Sequence, residues 1–159
     1  MDYWHAFESP IGLVAFGWDA DAPQVCRTSL RGYFEEGVQV AEVPAPLQSA
    51  HRQLQAYCCG DLQQFDLSAF DLAVGAPFTR EVLRVVAAIP YGQLASYGEV
   101  ARRADSPNAA RAVGNAMNRN PLPIVVPCHR VVAGNGIGGF GCGLEMKRRL
   151  HQLENISLT

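Results

Sequence analysis

The stretch Ser96-Tyr97-Gly98-Glu99-Val100-Ala101-Arg102-Arg103-Ala104-Asp105-Ser106-Pro107-Asn108-Ala109-Ala110-Arg111-Ala112-Val113-Gly114-Asn115-Ala116 decides the fold of this chain. Ser96 and Glu99 have the spacing of a capping box, in which a hydroxyl and a carboxylate each take a backbone N–H left open at the start of a helix. A short helix is expected from there to about Ala104. Asp105-Ser106-Pro107 breaks it, and a second helix should start at once with Ser106 as its N-cap and Pro107 as its first residue. Ala109, Val113 and Ala116 give that second helix a buried face. Two short helices across a tight turn form the pattern of a helix-turn-helix. The small residues Ala109, Ala110, Ala112, Gly114 and Ala116 let the second helix approach a partner closely. That partner is either another helix or the wall of a DNA groove, and the pattern leaves both open.

Upstream of this pair, Phe78, Val82, Val85, Val86 and Ile89 recur at helical spacing and stop at Pro90-Tyr91-Gly92. The stretch Phe65 to Ala76 is poorly patterned and ends in Gly75-Ala76-Pro77, which places a domain boundary there. Further back, Leu47, Ala50, Leu54 and Tyr57 mark a helix closed by Gly60. The first thirty or so residues read as strands: Tyr3 to Phe7, Gly12 to Gly17 across a turn at Glu8-Ser9-Pro10, and a third from Val25 to Leu30.

Downstream, Asn120-Pro121-Leu122-Pro123 leads into Ile124-Val125-Val126, which reads as a short buried strand, and then into Pro127-Cys128-His129-Arg130-Val131. A cysteine beside a histidine just after a strand is a possible nucleophile, because the thiolate is the reactive form and a neighbouring base increases its population. A buried structural cysteine next to a chance histidine is the plainer reading of that pair alone.

The charge is unevenly spread. Residues 1–72 carry three basic and ten acidic side chains, a net of −7, and residues 73–159 carry ten basic and five acidic, a net of +5. The second half therefore suits a polyanionic partner, although an unevenly charged solvated surface gives the same numbers. Five cysteines, an odd number without CxxC, imply free thiols in a reducing compartment. That means the cytoplasm, or the nucleus in a eukaryote. Neither a secretory signal nor an apolar run of membrane-spanning length is visible. No cofactor and no metal are expected, the one zinc alternative being an N-terminal site on residues such as Cys26 and His5, which falls short in ligand number.

From Phe78 to about Asn155 the chain resembles the O6-alkylguanine-DNA alkyltransferase family. The resemblance rests on Ile89-Pro90-Tyr91-Gly92, Ser96-Tyr97-Gly98-Glu99-Val100-Ala101, Ala109 to Ala116, Asn120-Pro121 and Pro127-Cys128-His129-Arg130-Val131, in that order and spacing. Ser9-Pro10-Ile11-Gly12 is similar, more loosely, to the family's N-terminal domain. The resemblance implies an α+β fold. Its first domain, 1–75, would be a ribonuclease-H-like antiparallel sheet with a helix. Its second, 76–159, would be mostly helical, with a winged-helix-like helix-turn-helix, and would bind DNA and accept the alkyl group.

It also implies roles, residue by residue. Cys128 would accept the alkyl group from O6 of guanine, once and irreversibly. His129 would deprotonate it through a water, oriented by Glu154. Tyr97 would donate a proton to N3 of the departing guanine, and Asn120 would brace the active-site turn. The backbone carbonyls at Cys128 and Val131 would read the guanine amino group. Met117, Pro123, Phe140 and Gly141 would line the pocket, with Gly138 to Gly141 as its closing loop. Ser96, Ala109, Ala110 and Gly114 would meet double-stranded DNA through the minor groove. Arg111 would fill the space left by the flipped-out base, a place where a planar cation stacks well. A monomer is expected.

The sequence departs from the family at Phe140, which stands for a tyrosine, at Gly141, which stands for a serine or arginine, and at Leu83, which stands for a tryptophan. Gly141 predicts a roomier pocket that accepts groups larger than methyl. Cys142 reads as a small filler. Lys147-Arg148-Arg149 reads as a solvated face of the last helix, and His5, His51 and His151 show no partner pattern. Three rival readings remain: a thiol hydrolase on Cys128, His129 and Glu154, a non-catalytic lesion binder, and a plain helix-turn-helix regulator. The presence of Cys128 argues against the last two.

Overall fold

The computed structural model describes residues 2–21, 24–31 and 39–158. They form a mixed α+β chain of two compact units, Met1–Asp71 and Leu72–Thr159.

In the first unit β1 (Asp2–Ser9) and β2 (Gly12–Asp19) form an antiparallel hairpin in which Ser9 pairs with Gly12 and Tyr3 with Trp18. The turn falls at Pro10-Ile11, where the fixed backbone of proline suits a reversal. β3 (Arg27–Ser29) adds antiparallel to β2, and β4 (Gln39–Val40) adds parallel to β1, giving the order β3-β2-β1-β4. The third strand is thus shorter than the expected Val25 to Leu30, because Val25 leaves β2 to bridge Phe70. That bridge draws the poorly patterned stretch 65–71 onto the sheet. Helix α1 (Gln48–Cys58) buries Ala50, Leu54 and Tyr57, with Leu47 buried just before it, and Gly60 follows at φ +80° as the stop. Val14, Phe16, Val25, Leu54, Tyr57 and Phe70 make this unit's core.

In the second unit α2 (Pro77–Ala87) begins with Pro77 in its first turn, where no N–H is needed, and buries Val82, Leu83, Val85 and Val86. The strand β5 (Ala95–Ser96) then runs straight into α3 (Tyr97–Arg103). Both halves of the capping box form: Glu99 N donates to Ser96 Oγ at 3.1 Å, and Ser96 N donates to Glu99 Oε2 at 2.6 Å.

The second helix, α4 (Ala110–Asn118), starts later than the sequence suggested. Ser106 does not cap it. Ser106 to Ala109 instead close a turn in which Ala109 N donates to Ser106 O. Asp105 adopts φ +54°, a conformation that ends α3 and uses up the residues expected to begin α4. Val113, Ala116 and Met117 are buried, and Ala109 is half-buried.

The expected strand at Ile124 to Val126 is also absent. These residues are buried, as their apolarity implied, but they form an irregular turn with Ile124 at φ +78°. A short apolar run signals burial, and extension does not follow from it. The strand in this region is β6 (Val131–Val132), which lies after the cysteine and pairs parallel with β5. Helix α5 (Leu144–Leu153) closes the unit. Among the described residues no helix is long and apolar enough to cross a membrane.

Candidate active site

Cys128 opens a 3₁₀ turn, Cys128–Arg130, that joins the irregular turn to β6. The irregular turn is strained, since a β-branched residue at positive φ costs about 1–3 kcal/mol, and it is held by Asn120. The Asn120 Oδ1 accepts from Leu122 N at 3.0 Å and its Nδ2 donates to Val126 O at 2.8 Å. Val126 N reaches back to Leu122 O, and Cys128 N donates to Val126 O at 2.7 Å. One amide side chain therefore spans the turn that presents the thiol.

Behind the thiol, Glu154 is the hub of a buried network. Its Oε1 accepts from His129 Nε2 at 2.7 Å and from Arg130 Nη2 at 2.8 Å, and its Oε2 accepts from Arg130 Nε at 2.9 Å and from Gly92 N at 3.0 Å. A buried carboxylate is tolerable only when paired and hydrogen-bonded in this way. Donation from Nε2 puts the basic lone pair of a neutral His129 on Nδ1. Arg130, itself buried, also donates to Ile89 O and lies 5.6 Å from the centre of the Tyr91 ring.

Two further side chains of α5 grip the same segment through its backbone. His151 Nε2 donates to His129 O at 2.6 Å. Lys147 is wholly buried, and its Nζ donates to Val131 O at 2.7 Å, Ile137 O at 2.6 Å and Gly139 O at 2.9 Å. Arg148 and Arg149 are exposed, as a solvated face requires, but Lys147 is not, and His151 has a partner after all. Lys147 turns inward because the three carbonyls offer its ammonium as many acceptors as it has protons. Sequence reasoning missed Lys147, His151 and Arg130. The available signal was the spacing: 147, 151 and 154 fall on one face of α5.

Tyr97 stands at the first turn of α3, with its ring against α4, where a Cβ added at Gly114 would lie 3.9 Å from Cε1. Its Oη faces the loop at Gly138 and Gly139. Gly138, at φ +72°, leaves no room there: a Cβ would come within 3.0 Å of both Tyr97 Oη and Ala133 N. Phe140 is half-buried, with its ring centre 6.0 Å from Lys147 Nζ. Gly141 is exposed, and a Cβ on it would lie 3.3 Å from Asn118 O. Met117 and Pro123 are buried, Ser96 and Ala110 are half-buried, and Arg111 is exposed on α4. Leu83 is a core residue. The structure thus gathers Cys128, His129, Glu154, Asn120 and Val131 into one bonded segment. Tyr97 meets the loop after it at Gly138, while Arg111 stands apart on the helix surface.

Burial governs the electrostatics. It pushes the Cys128 thiol up to about 12, against smaller opposing effects from an Asn120 hydrogen bond and the Lys147 charge, so the resting sulfur keeps its proton. Burial likewise raises Tyr97, which stays a phenol, and lowers His129 and His151, which stay neutral despite the pull of Glu154. Lys147 is pushed down to about 8 by burial, with Cys128 acting the other way. Among the described residues no three His, Cys, Asp or Glu side chains are placed to hold a metal ion. Cys26 is bonded to Gly17 O through its thiol, and His5 Nδ1 lies 3.2 Å from Ala41 O.

Residues 77–156 match the family model described as 6-O-methylguanine DNA methyltransferase, DNA binding domain. The chain is 38% identical over 160 residues to the methylated-DNA--protein-cysteine methyltransferase of Methanosarcina acetivorans, covering 96% of this chain and 97% of that one. It is 47% identical over 162 residues to the protein of the same name from Mycobacterium leprae, covering 97% and 93%. Among solved structures it is similar to Mycobacterium tuberculosis OGT in complex with DNA. The TM-score there is 0.82 at 35% identity, with 96% of this chain and 93% of that chain covered.

Proposed function

The chain belongs to the 6-O-methylguanine DNA methyltransferase family, and from that premise we propose that Cys128 is the sulfur that takes the alkyl group. The protein is a DNA-binding methylated-DNA--protein-cysteine methyltransferase that repairs DNA by moving an alkyl group onto cysteine. The observation that carries the assignment of Cys128 is its seat in a turn that the Asn120 side chain spans, beside a histidine that is kept neutral and so can accept a proton.

The chemistry follows from the protonation states. A thiol held near 12 is not a nucleophile at rest, so its proton must leave as the substrate arrives. His129 receives it, through a water as the resemblance implies, and Glu154 stabilises the imidazolium that results. Sulfur attacks the alkyl carbon in line, a C–S bond forms and the C–O6 bond breaks. Tyr97, still a phenol, donates its proton to N3 of the departing guanine. The product is a stable thioether, so each molecule reacts once.

The reading extends to the DNA. Guanine O6 cannot be reached inside a duplex, so the base is flipped out and Arg111 fills its place. Ser96, Ala109, Ala110 and Gly114 bring α3 and α4 against the minor groove, where contacts are mainly to backbone and suit a search of undamaged sequence. Met117, Pro123, Val131, Phe140 and Gly141 line the pocket, and Gly141 leaves it wide enough for a benzyl group. The protein acts as a monomer, in the cytoplasm or in the nucleus of a eukaryote. Residues 1–75 form its ribonuclease-H-like domain, and residues 76–159 its winged-helix-like one.

Intact mass after incubation with a duplex carrying one O6-methylguanine tests the core of this. One CH₂ unit should be gained per protein, located on Cys128 and absent in Cys128→Ala. An adduct on another residue, or repeated turnover of a small ester instead, would sink the assignment. Transfer of methyl with no benzyl transfer would remove the wide pocket alone.

A further inference from the structure

We propose that Lys147 and His151 are positioning residues, which set the reactive geometry of Cys128 by gripping backbone carbonyls of the segment that follows it, and that the charged form of Lys147 is the competent one. The proposal rests on Cys128 being the acceptor and goes beyond it, since neither residue touches the reacting atoms.

The two lie one turn apart on α5, on the face that ends with Glu154. His151 takes the carbonyl of His129 and Lys147 that of Val131, so α5 holds the residue after Cys128 and the one three after it. The same ammonium takes the carbonyls of Ile137 and Gly139. The neighbouring Gly138 lies against Tyr97, where a Cβ would come within 3.0 Å of the phenol oxygen. One cation thereby ties the strand that follows the thiol to the loop that holds the phenol, and fixes the spacing of nucleophile and acid. A carbonyl oxygen has two lone pairs, so Val131 keeps one for a substrate amino group.

Three protons meet three acceptors, and this accounts for the requirement for charge: a neutral amine has one proton too few and releases a carbonyl. The titratable groups that face Lys147 are Cys128, on the 3₁₀ turn, and His151, on its own helix. The Phe140 ring lies across from it. No carboxylate among the described residues is there to hold the charge, and burial alone brings its titration down to about 8.

The test is the single-turnover rate of transfer from an O6-methylguanine duplex, read against pH and beside affinity for undamaged duplex. For the unaltered protein the rate should hold level above the ordinary histidine range and fall above about pH 8. Without a role for Lys147 it should stay level past pH 9, because neutral His129 is already available and Tyr97 would limit the rate only above the ordinary phenol range. Lys147→Met should slow transfer about 100-fold, the size of loss that ~1 Å of misplacement causes, with affinity for DNA unchanged and the fall above pH 8 gone. His151→Leu should slow transfer about 10-fold, as for one lost hydrogen bond, and His151→Gln, which keeps a donor, should recover most of it.

A rate that stays level or climbs through pH 9 in the unaltered protein overturns the proposal, even if Lys147→Met does not fold. So does a folded Lys147→Met of undiminished rate. If the unaltered protein gains no adduct on Cys128, the assignment of the acceptor falls, and this inference with it.

Discussion

The helix pair α3–α4 and the turn around Cys128 belong to one unit and are built by opposite means. The helices are held by their own backbone ladder, a capping box and a thin apolar face of Val100, Ala101, Val113, Ala116 and Met117. Their outward side chains Arg102, Arg103, Arg111 and Arg119 are all exposed. The acceptor turn has almost no regular structure, and polar side chains hold it in place: the half-buried Asn120 and the buried Arg130, Lys147, His151 and Glu154. A surface that meets a long uniform polymer needs only shape and charge. A sulfur that must meet one carbon in line needs neighbours with no freedom. Substitution should therefore damage the two regions very differently.

The largest effect is expected at Glu154. Glu154→Ala leaves Arg130 and His129 buried without their anion, and removing one partner of such a pair costs about 3–5 kcal/mol. Thermal unfolding should drop steeply and transfer should cease. A variant that melts with the unaltered protein would show that the network is not what holds the turn. Asn120→Ala comes next. It removes both bonds across the strained turn at Ile124 and should cost about 1–3 kcal/mol in urea unfolding. Because the strain then relaxes at the residue that leads to Cys128, the transfer rate should fall further than the stability does. Equal losses in both would deny the turn any positioning role.

The difference between the regions also explains what could be read from the sequence. The helices announce themselves through local rules: Ser96 and Glu99 satisfy each other three residues apart, and Val113 and Ala116 repeat at helical spacing. The error there, Ser106 as a cap, came from a local rule overruled by Asp105 entering the left-handed region. The acceptor turn depends on contacts with no local signature. His129 meets Glu154 across 25 residues and Arg130 meets Ile89 across 41. Glu154 could be placed by resemblance, since the family supplied the pairing. Lys147 could not, because a lysine followed by two arginines on a helix reads as solvated until three carbonyls are seen to converge on it. Ile124 to Val126 were legible as buried and illegible as a turn, since the bonds that fold them come from Asn120 rather than from their own pattern.

Acid should separate the regions more gently than mutation. His129 and His151 are both held below their ordinary 6.5, chiefly by burial. The unfolded chain therefore takes up protons first as pH falls through 6.5, and the folded state loses stability below that point. The contribution is complete above about 6.5 and shrinks as pH drops toward the lowered values. Melting temperature should decline from pH 7 to pH 5, and the decline should be shallower in His151→Leu. A flat profile over that range would mean that neither ring stays neutral in the fold.

Arg111 gives the smallest effect on the fold and the cleanest discrimination. It is exposed on α4, so Arg111→Ala should change stability by less than about 0.5 kcal/mol. If it fills the duplex after the base leaves, its loss matters only when there is a stack to fill. Transfer from O6-methylguanine in duplex should slow by at least about 10-fold, one lost contact's worth of free energy, while transfer from free O6-benzylguanine should proceed at the unaltered rate. A variant slowed on both would place Arg111 in the architecture of the pocket. It would also erase the contrast between a tolerant DNA surface and an intolerant acceptor turn.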